Sequence, residues 1–210
     1  MQKSALIIID MQNGFLNENS AQLIKMAADT VPACARAAEA ARKRKIPVFF
    51  IGRHYRADGT DVEHTRFPSW LAGGRSMSEV CSPQIDDSYP PGLAPKDGDF
   101  VLVKPRFSAF FMTPLDLMLR RLGIDEVFLT GTTTPNCIRT TCYDAISLDY
   151  SVTVIEDCCS SQTPEIQRAN IADMANIGAR IISCEDFVSG KSSDRSSLDK
   201  CREFARQILK

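Results

Sequence analysis

The chain has 210 residues, 44% of them hydrophobic, with 25 Lys plus Arg against 26 Asp plus Glu and a formal net charge of −1. That length fits one domain with a sizeable core, and the near-zero net charge gives no electrostatic case for nucleic acid or an anionic membrane surface as a partner. No apolar run approaches the roughly 20 residues of a membrane span.

Ala5–Ile9 is an unbroken apolar run, the pattern of a strand buried on both faces. It stops at Asp10 and gives way to a loop, MQNGF (11–15), so it reads as a strand and not as a signal peptide. Asp29 or Thr30 is expected to cap a helix over Val31–Arg44, with Pro32 in its first turn. Val31, Cys34, Ala38 and Ala41 share one face of it, and Arg42–Lys45 is a solvated basic end suited to the negative helix C-terminus. Pro47–Gly52 is the second strand. Residues 53–98 hold many Gly, Pro, Ser and Asp and little periodicity; a loop of that length in a compact domain usually serves function. Phe100–Lys104 is the third strand, Thr113–Leu122 a helix, and Val127–Thr130 the fourth strand. A helix over Asn136–Leu148 follows Gly131, three threonines and Pro135. Ser151–Ile155 is the fifth strand, Pro164–Asn176 a helix with Thr163 as its cap, and Ala179–Ile182 a short sixth strand. A polar linker, Ser189–Ser197, leads to an amphipathic helix, Leu198–Leu209, with Leu198, Cys201, Phe204, Ala205, Ile208 and Leu209 on one face.

Apolar strands alternating with helices predict an α/β fold: a three-layer sandwich with a mainly parallel, six-stranded, Rossmann-like sheet and helices on both faces. The whole chain reads as one domain. Eight cysteines at irregular spacing, without a CxxC pair, lack the knuckles of a zinc site. With no signal peptide they are expected to be free thiols in a reducing cytoplasm.

In parallel sheets ligands bind beyond the C-terminal ends of the strands. Three reactive side chains occupy such ends: Asp10 after the first strand, Lys104 closing the third and Cys137 just past the fourth. Each alone also fits a bland role, as a turn residue, a snorkelling lysine or a core thiol. Together they make chemical sense. A thiol in the first turn of a helix feels free N–H groups and the positive end of the macrodipole, which favour thiolate. A carboxylate can take its proton, and an ammonium steadies both anions.

Four segments, LIIIDMQNGF (6–15), VLVKPRFSAF (101–110), VFLTGTTTPNCIRTTCYDA (127–145) and SVTVIEDCCSS (151–161), resemble the isochorismatase-like cysteine hydrolases, whose members include nicotinamidase, N-carbamoylsarcosine amidase and ureide amidohydrolases. The resemblance implies a catalytic triad of Asp10, Lys104 and Cys137, and a cis peptide at Thr132–Thr133. It also implies an oxyanion hole made by the backbone N–H groups of Thr133 and Cys137. The activity it implies is cleavage of the C–N bond of a small amide or ureide through a thioester, without a cofactor, in a homodimer or homotetramer. Asp157 is then a structural turn residue.

Departures from the family pattern bear on the substrate. Nicotinamidases carry an Asp-x-His and a second His that bind a metal; here the stretch is Gly52-Arg53-His54, with His64 ten residues on, so no metal is expected. The isochorismatases that cleave a vinyl ether lack the cysteine, so Cys137 favours C–N hydrolysis. Phe15, Arg53, Tyr55, Trp70 and Phe110 are the candidate substrate contacts. Arg53 is placed nearest a strand end, where it could clamp a carboxylate. Cys142, Cys158 and Cys159 read as packing. The alternatives are a non-catalytic binding member of the same fold, a nicotinamidase-type metal-dependent amidase and, given eight cysteines, a redox protein.

Overall fold

The computed structural model describes residues 4–190 and 196–209. The six expected strands are β1 (Ser4–Ile9), β2 (Val48–Gly52), β3 (Phe100–Val103), β4 (Glu126–Thr132), β5 (Ser151–Ser160) and β6 (Arg180–Ile182). The helices are α1 (Asn13–Leu16), α2 (Ala27–Lys43), α3 (Phe67–Ala72), α4 (Leu115–Arg121), α5 (Arg139–Ser147), α6 (Pro164–Asn176), α7 (Cys184–Val188) and α8 (Ser196–Ile208). The strands form one sheet in the order β3-β2-β1-β4-β5-β6, every neighbouring pair parallel.

Because side chains alternate across a strand, β1 feeds two cores. Ala5, Ile7 and Ile9 pack with Phe49, Ile51, Val127 and Leu129 under Leu115 and Leu119 of α4, Cys142 and Ala145 of α5 and Met174 of α6. Leu6 and Ile8 face the other way, onto Cys34, Ala37, Ala38 and Ala41 of α2 and Phe187 of α7. The result is the expected α/β sandwich. The strand order runs outward from β1 to β3 on one side and from β4 to β6 on the other. The crevice of such a sheet opens where that direction reverses, here beyond the C-terminal ends of β1 and β4.

Several boundaries differ from the sequence expectation, each for a local reason. α2 starts at Ala27, so Pro32 lies inside it, and Thr30 Oγ1 donates back to the Ala27 carbonyl (2.8 Å) rather than capping. Thr163 does cap α6, accepting the Ile166 N–H at 3.3 Å. β4 continues through Gly131 and Thr132, and after an irregularity between Leu129 and Gly131 it pairs with Cys159 and Ser160 of a much longer β5. Within 53–98 stand α3 and a short helical turn at Pro83–Ile85. Most of the expected polar linker falls on 191–195, outside the described residues, as does the side chain of Leu198. Cys201, Phe204, Ala205, Ile208 and Leu209 of the amphipathic tail are exposed, and Arg202 ties α8 to Asp125 at 2.7 Å. Among the described residues no helix is long and apolar enough to cross a membrane.

Candidate active site

Asp10 leaves β1 with a φ of 55°, in the left-handed region, which aspartate enters more readily than most side chains because its short carboxylate bonds locally. Its N–H is held by the Ile51 carbonyl at 2.8 Å, and the Lys104 N–H by the Gly52 carbonyl at 2.9 Å. Both residues therefore hang from the end of β2, and both side chains are buried. Lys104 Nζ donates to Asp10 Oδ2 at 2.7 Å, to the Arg106 carbonyl at 3.2 Å and to Cys137 Sγ at 3.4 Å. An ammonium has three N–H donors, so this buried lysine is fully satisfied, and its position is fixed by the three acceptors. Asp10 Oδ1 accepts no hydrogen bond among the described residues.

Cys137 stands in a π-helical turn, Thr134–Ile138, that precedes α5. The widened turn is seen in the Ile138 N–H, which reaches back five residues to the Thr133 carbonyl at 3.3 Å; such turns are frequent at functional sites. Thr141 Oγ1 donates to the Cys137 carbonyl (2.6 Å) and accepts the Ala109 N–H (2.9 Å), joining this helix to the loop that follows Lys104. The Thr132–Thr133 peptide is cis.

Desolvation works against the thiolate that the helix start is expected to favour. Burial pushes the Cys137 thiol up, and the Asp10 carboxylate adds to this; Lys104 and Arg53 pull it down without prevailing. The thiol is almost fully buried, and desolvation is the largest influence on it. It therefore needs a proton acceptor before it can attack, and Asp10 shares Lys104 Nζ with it. Burial also pushes the Cys142 thiol up to about 12 and raises Cys159. Thiols raised in the folded chain stabilise it fully below the unfolded pKa of about 8.5; above that the unfolded chain loses protons that the native chain keeps, at about 1.4 kcal/mol per pH unit per thiol. Unfolding free energy is therefore expected to fall from pH 8.5 upward. In chemical denaturation Cys142→Ala should lessen that slope by one thiol; an unchanged slope would refute the account.

Arg53 is buried, not a free clamp at the rim. Its Nη1 donates to Glu63 Oε1 (2.5 Å), Tyr55 Oη (3.2 Å) and the Pro105 carbonyl (3.2 Å), and Tyr55 Oη donates to Glu63 Oε2 (2.9 Å). Burial opposes its charge, but Asp10, Tyr55, Cys137 and Glu63 together hold its pKa above the usual arginine value. Gln12 clamps its backbone, with Oε1 accepting the Arg53 N–H (2.7 Å) and Nε2 donating to the Arg53 carbonyl (2.9 Å). The same amide explains Gly52: a Cβ there would lie 2.7 Å from Gln12 Nε2.

Two further candidates share a cluster of their own. Phe15 and Trp70, expected as substrate contacts, pack with Ile24, Ala27, Tyr55, Val62 and Met77 in a separate apolar cluster that carries the 53–98 segment. Trp70 Nε1 is spent on the Ser76 carbonyl at 2.9 Å. Phe110 stacks on Tyr150 with ring centroids 5.7 Å apart and packs against the core cluster that holds Cys137. His54 Nδ1 lies 2.9 Å from an Asp87 carboxylate oxygen, and His64 is exposed. Among the described residues no group of three His, Cys, Asp or Glu is arranged to hold a metal ion. Sequence reasoning did not connect Gln12 or Glu63 with Arg53. The signal available for Glu63 was charge alone: an arginine at a strand end inside the sheet needs an acid.

A family model described as the Isochorismatase domain matches residues 4–186. A protein of Arabidopsis thaliana named "Probable inactive nicotinamidase At3g16190" is 39% identical over 181 residues, covering 85% of this chain and 91% of that one. Ureidoacrylate amidohydrolase RutB of Pantoea ananatis is 30% identical over 204 residues, 89% of this chain and 81% of its own. The crystal structure of an isochorismatase family protein from Desulfovibrio vulgaris is similar with a TM-score of 0.84 and 38% identity, over 92% of this chain and all of that one (100%). With the family domain spanning the whole sheet and the crevice residues at its strand ends, this chain belongs to the isochorismatase family.

Proposed function

We propose that this isochorismatase-family hydrolase cleaves the C–N bond of a small amide or ureide through a thioester on Cys137. The observation that carries the reading is Lys104 Nζ in contact with both Asp10 and Cys137 at the ends of three strands of one sheet. Asp10 takes the Cys137 proton as sulfur attacks the carbonyl carbon. The N–H groups of Thr133 and Cys137 receive the oxyanion, a service of roughly 3–4 kcal/mol per donor. Asp10 returns the proton to the leaving nitrogen as the C–N bond breaks, then takes one from the water that attacks the thioester and gives it to the Cys137 sulfur as the C–S bond breaks. Lys104 keeps the Asp10 carboxylate in place throughout, and no cofactor enters the cycle.

The test is an ammonia-release screen over small amides, ureides and carbamoyl amino acids, with mass spectrometry of the quenched enzyme. A compound that turns over should leave its acyl mass on the peptide containing Cys137. Turnover without that adduct, under conditions where hydrolysis is slowed, would refute the thioester. Nicotinamide is expected to be a poor substrate, since position 52 offers no carboxylate and Gln12 fills the space one would need. No turnover across the panel would favour the non-catalytic reading, which the name of the Arabidopsis relative keeps in view. A homodimer or homotetramer in a reducing cytoplasm completes the proposal. The eight free thiols suit that compartment, and Val101, Val103 and Leu117 offer exposed apolar surface at the β3 edge. Light scattering on the purified protein measures the assembly.

A further inference from the structure

Two consecutive threonines of α5 turn their hydroxyls back onto the turn that carries Cys137. Thr140 Oγ1 donates to the Asn136 carbonyl at 2.7 Å and, more weakly, to the Cys137 carbonyl at 3.4 Å; Thr141 Oγ1 donates to the Cys137 carbonyl at 2.6 Å. Back-bonds of this kind to the carbonyl four residues earlier are common in helices. What separates these two is the peptide unit that each one loads. A peptide unit joins the carbonyl of one residue to the N–H of the next. The Asn136 carbonyl therefore shares its unit with the Cys137 N–H, and the Cys137 carbonyl shares its unit with the Ile138 N–H.

The Ile138 N–H is already spent on the Thr133 carbonyl at 3.3 Å, as is the Asn136 N–H at 3.1 Å. The Cys137 N–H between them is the one proposed to receive the oxyanion. It falls in the opening turn Thr134–Ile138, the part of a helix whose N–H groups lack an acceptor within the helix. The Asn136 carbonyl behind it accepts twice, from Thr140 Oγ1 and from the Arg139 N–H. Hydrogen bonds linked in a chain polarise one another, each gaining about 10–30% in strength. A carbonyl that accepts draws electron density through its own amide, so the N–H at the other end becomes a stronger donor. That donor sits at a buried residue, where solvent does not damp the effect.

We infer that Thr140 is a positioning residue for acyl transfer: its hydroxyl, through the Asn136 carbonyl, orients and polarises the Cys137 N–H that takes the developing oxyanion. This rests on the cysteine-hydrolase reading and adds a residue to it. Thr141, one peptide further on, ties the turn to the Ala109 N–H instead.

Two reagents that use the same sulfur separate this role from a structural one. p-Nitrophenyl acetate acylates Cys137: the S–C bond forms as the thiol proton passes to Asp10, an oxyanion appears and collapses, and p-nitrophenolate leaves with the electron pair of the C–O bond. Iodoacetamide alkylates the same sulfur with loss of iodide and builds no oxyanion. Both rates are followed on the Cys137 peptide by mass spectrometry, and their ratio cancels any change in the readiness of the thiol. Losing a whole oxyanion donor costs about 10²–10³ in rate, and a gain of about 10–30% on that logarithmic scale is about two- to eightfold. Thr140→Val and Thr140→Ala are expected to lower the acylation-to-alkylation ratio by that factor, and Thr140→Ser, which keeps the hydroxyl, to restore it. If the valine variant does not fold, the alanine and serine pair decides. A ratio unchanged on loss of the hydroxyl, whether the two rates hold or fall together, would overturn the role and leave the hydrolase reading standing. A wild-type Cys137 that iodoacetamide modifies and p-nitrophenyl acetate does not would overturn the oxyanion hole and the part of Thr140 in it. One that neither reagent modifies would overturn the nucleophile itself.

Discussion

Cys137→Ala is expected to lower amide turnover by a factor on the order of 10⁴–10⁶, the loss seen when a covalent nucleophile is removed from a working triad, while Cys142→Ala keeps its activity. The measurement is ammonia release from any substrate the screen yields. The choice of variant follows from the geometry. Lys104 in Cys137→Ala still has Asp10 Oδ2 and the Arg106 carbonyl, so no buried charge is stranded and the fold should hold. Removing either charge would confound chemistry with stability, because Asp10 and Lys104 are each other's buried counter-ion, and breaking such a pair from one side costs about 3–5 kcal/mol. Cys142 controls for thiol loss as such. It is equally buried, packs in the same core and follows Cys137 by five positions, off its helical face. Turnover retained in Cys137→Ala would end the thioester route; turnover lost in both would point to packing.

How far the sequence carried this site depends on which interactions are local. β1 and β2 are buried on both faces, so they appear as apolar runs, and a reactive residue closing such a run is legible as a crevice residue. Asp10 and Cys137 were found that way, whereas Lys104 closes β3, an edge strand whose Val101 and Val103 are exposed. The second half of β5 was not, since Glu156–Ser160 reads as a polar turn and becomes strand only because β4 resumes pairing past its irregularity. The cluster of Phe15, Tyr55, Trp70 and Met77 gathers residues from distant segments, and no periodicity within 53–98 announces it. Arg53 was singled out as nearest a strand end, but its partner lies ten residues on in a segment without regular pattern, so its burial was not readable. The upward push on the Cys137 thiol was unreadable for the same kind of reason: a helix start is a local signal, whereas desolvation depends on everything packed around it.

Gly131→Ala is expected to be among the most damaging small substitutions in the sheet. Gly131 pairs with Ile9 at the end of the β1–β4 ladder. A Cβ there would press on the Ile9 backbone, against its carbonyl oxygen, at 2.7 Å from its nitrogen and 2.9 Å from its carbonyl carbon. Those atoms belong to the central strand and cannot swing aside as a side-chain tip would. The φ of 110° adds backbone strain for any residue with a Cβ. Strain of about 1–2 kcal/mol and an overpacking cost of about 1–3 kcal/mol sum to roughly 3 kcal/mol, or a fall in Tm of about 6–12 °C for a domain of this size. Gly123→Ala separates the two terms, since Gly123 has a φ of 69° but nothing within 4 Å of the added Cβ; it should lose only about 2–8 °C. The damage at Gly131 should also reach the chemistry. Asp10 follows Ile9 directly, and Cys137 lies one turn past β4, so forcing the two strands apart lengthens the contacts that converge on Lys104. Amide turnover by Gly131→Ala, assayed well below its melting temperature, should therefore fall below that of the wild type. A Gly131→Ala protein that melts with the wild type would show that the β1–β4 junction gives more readily than its packing indicates.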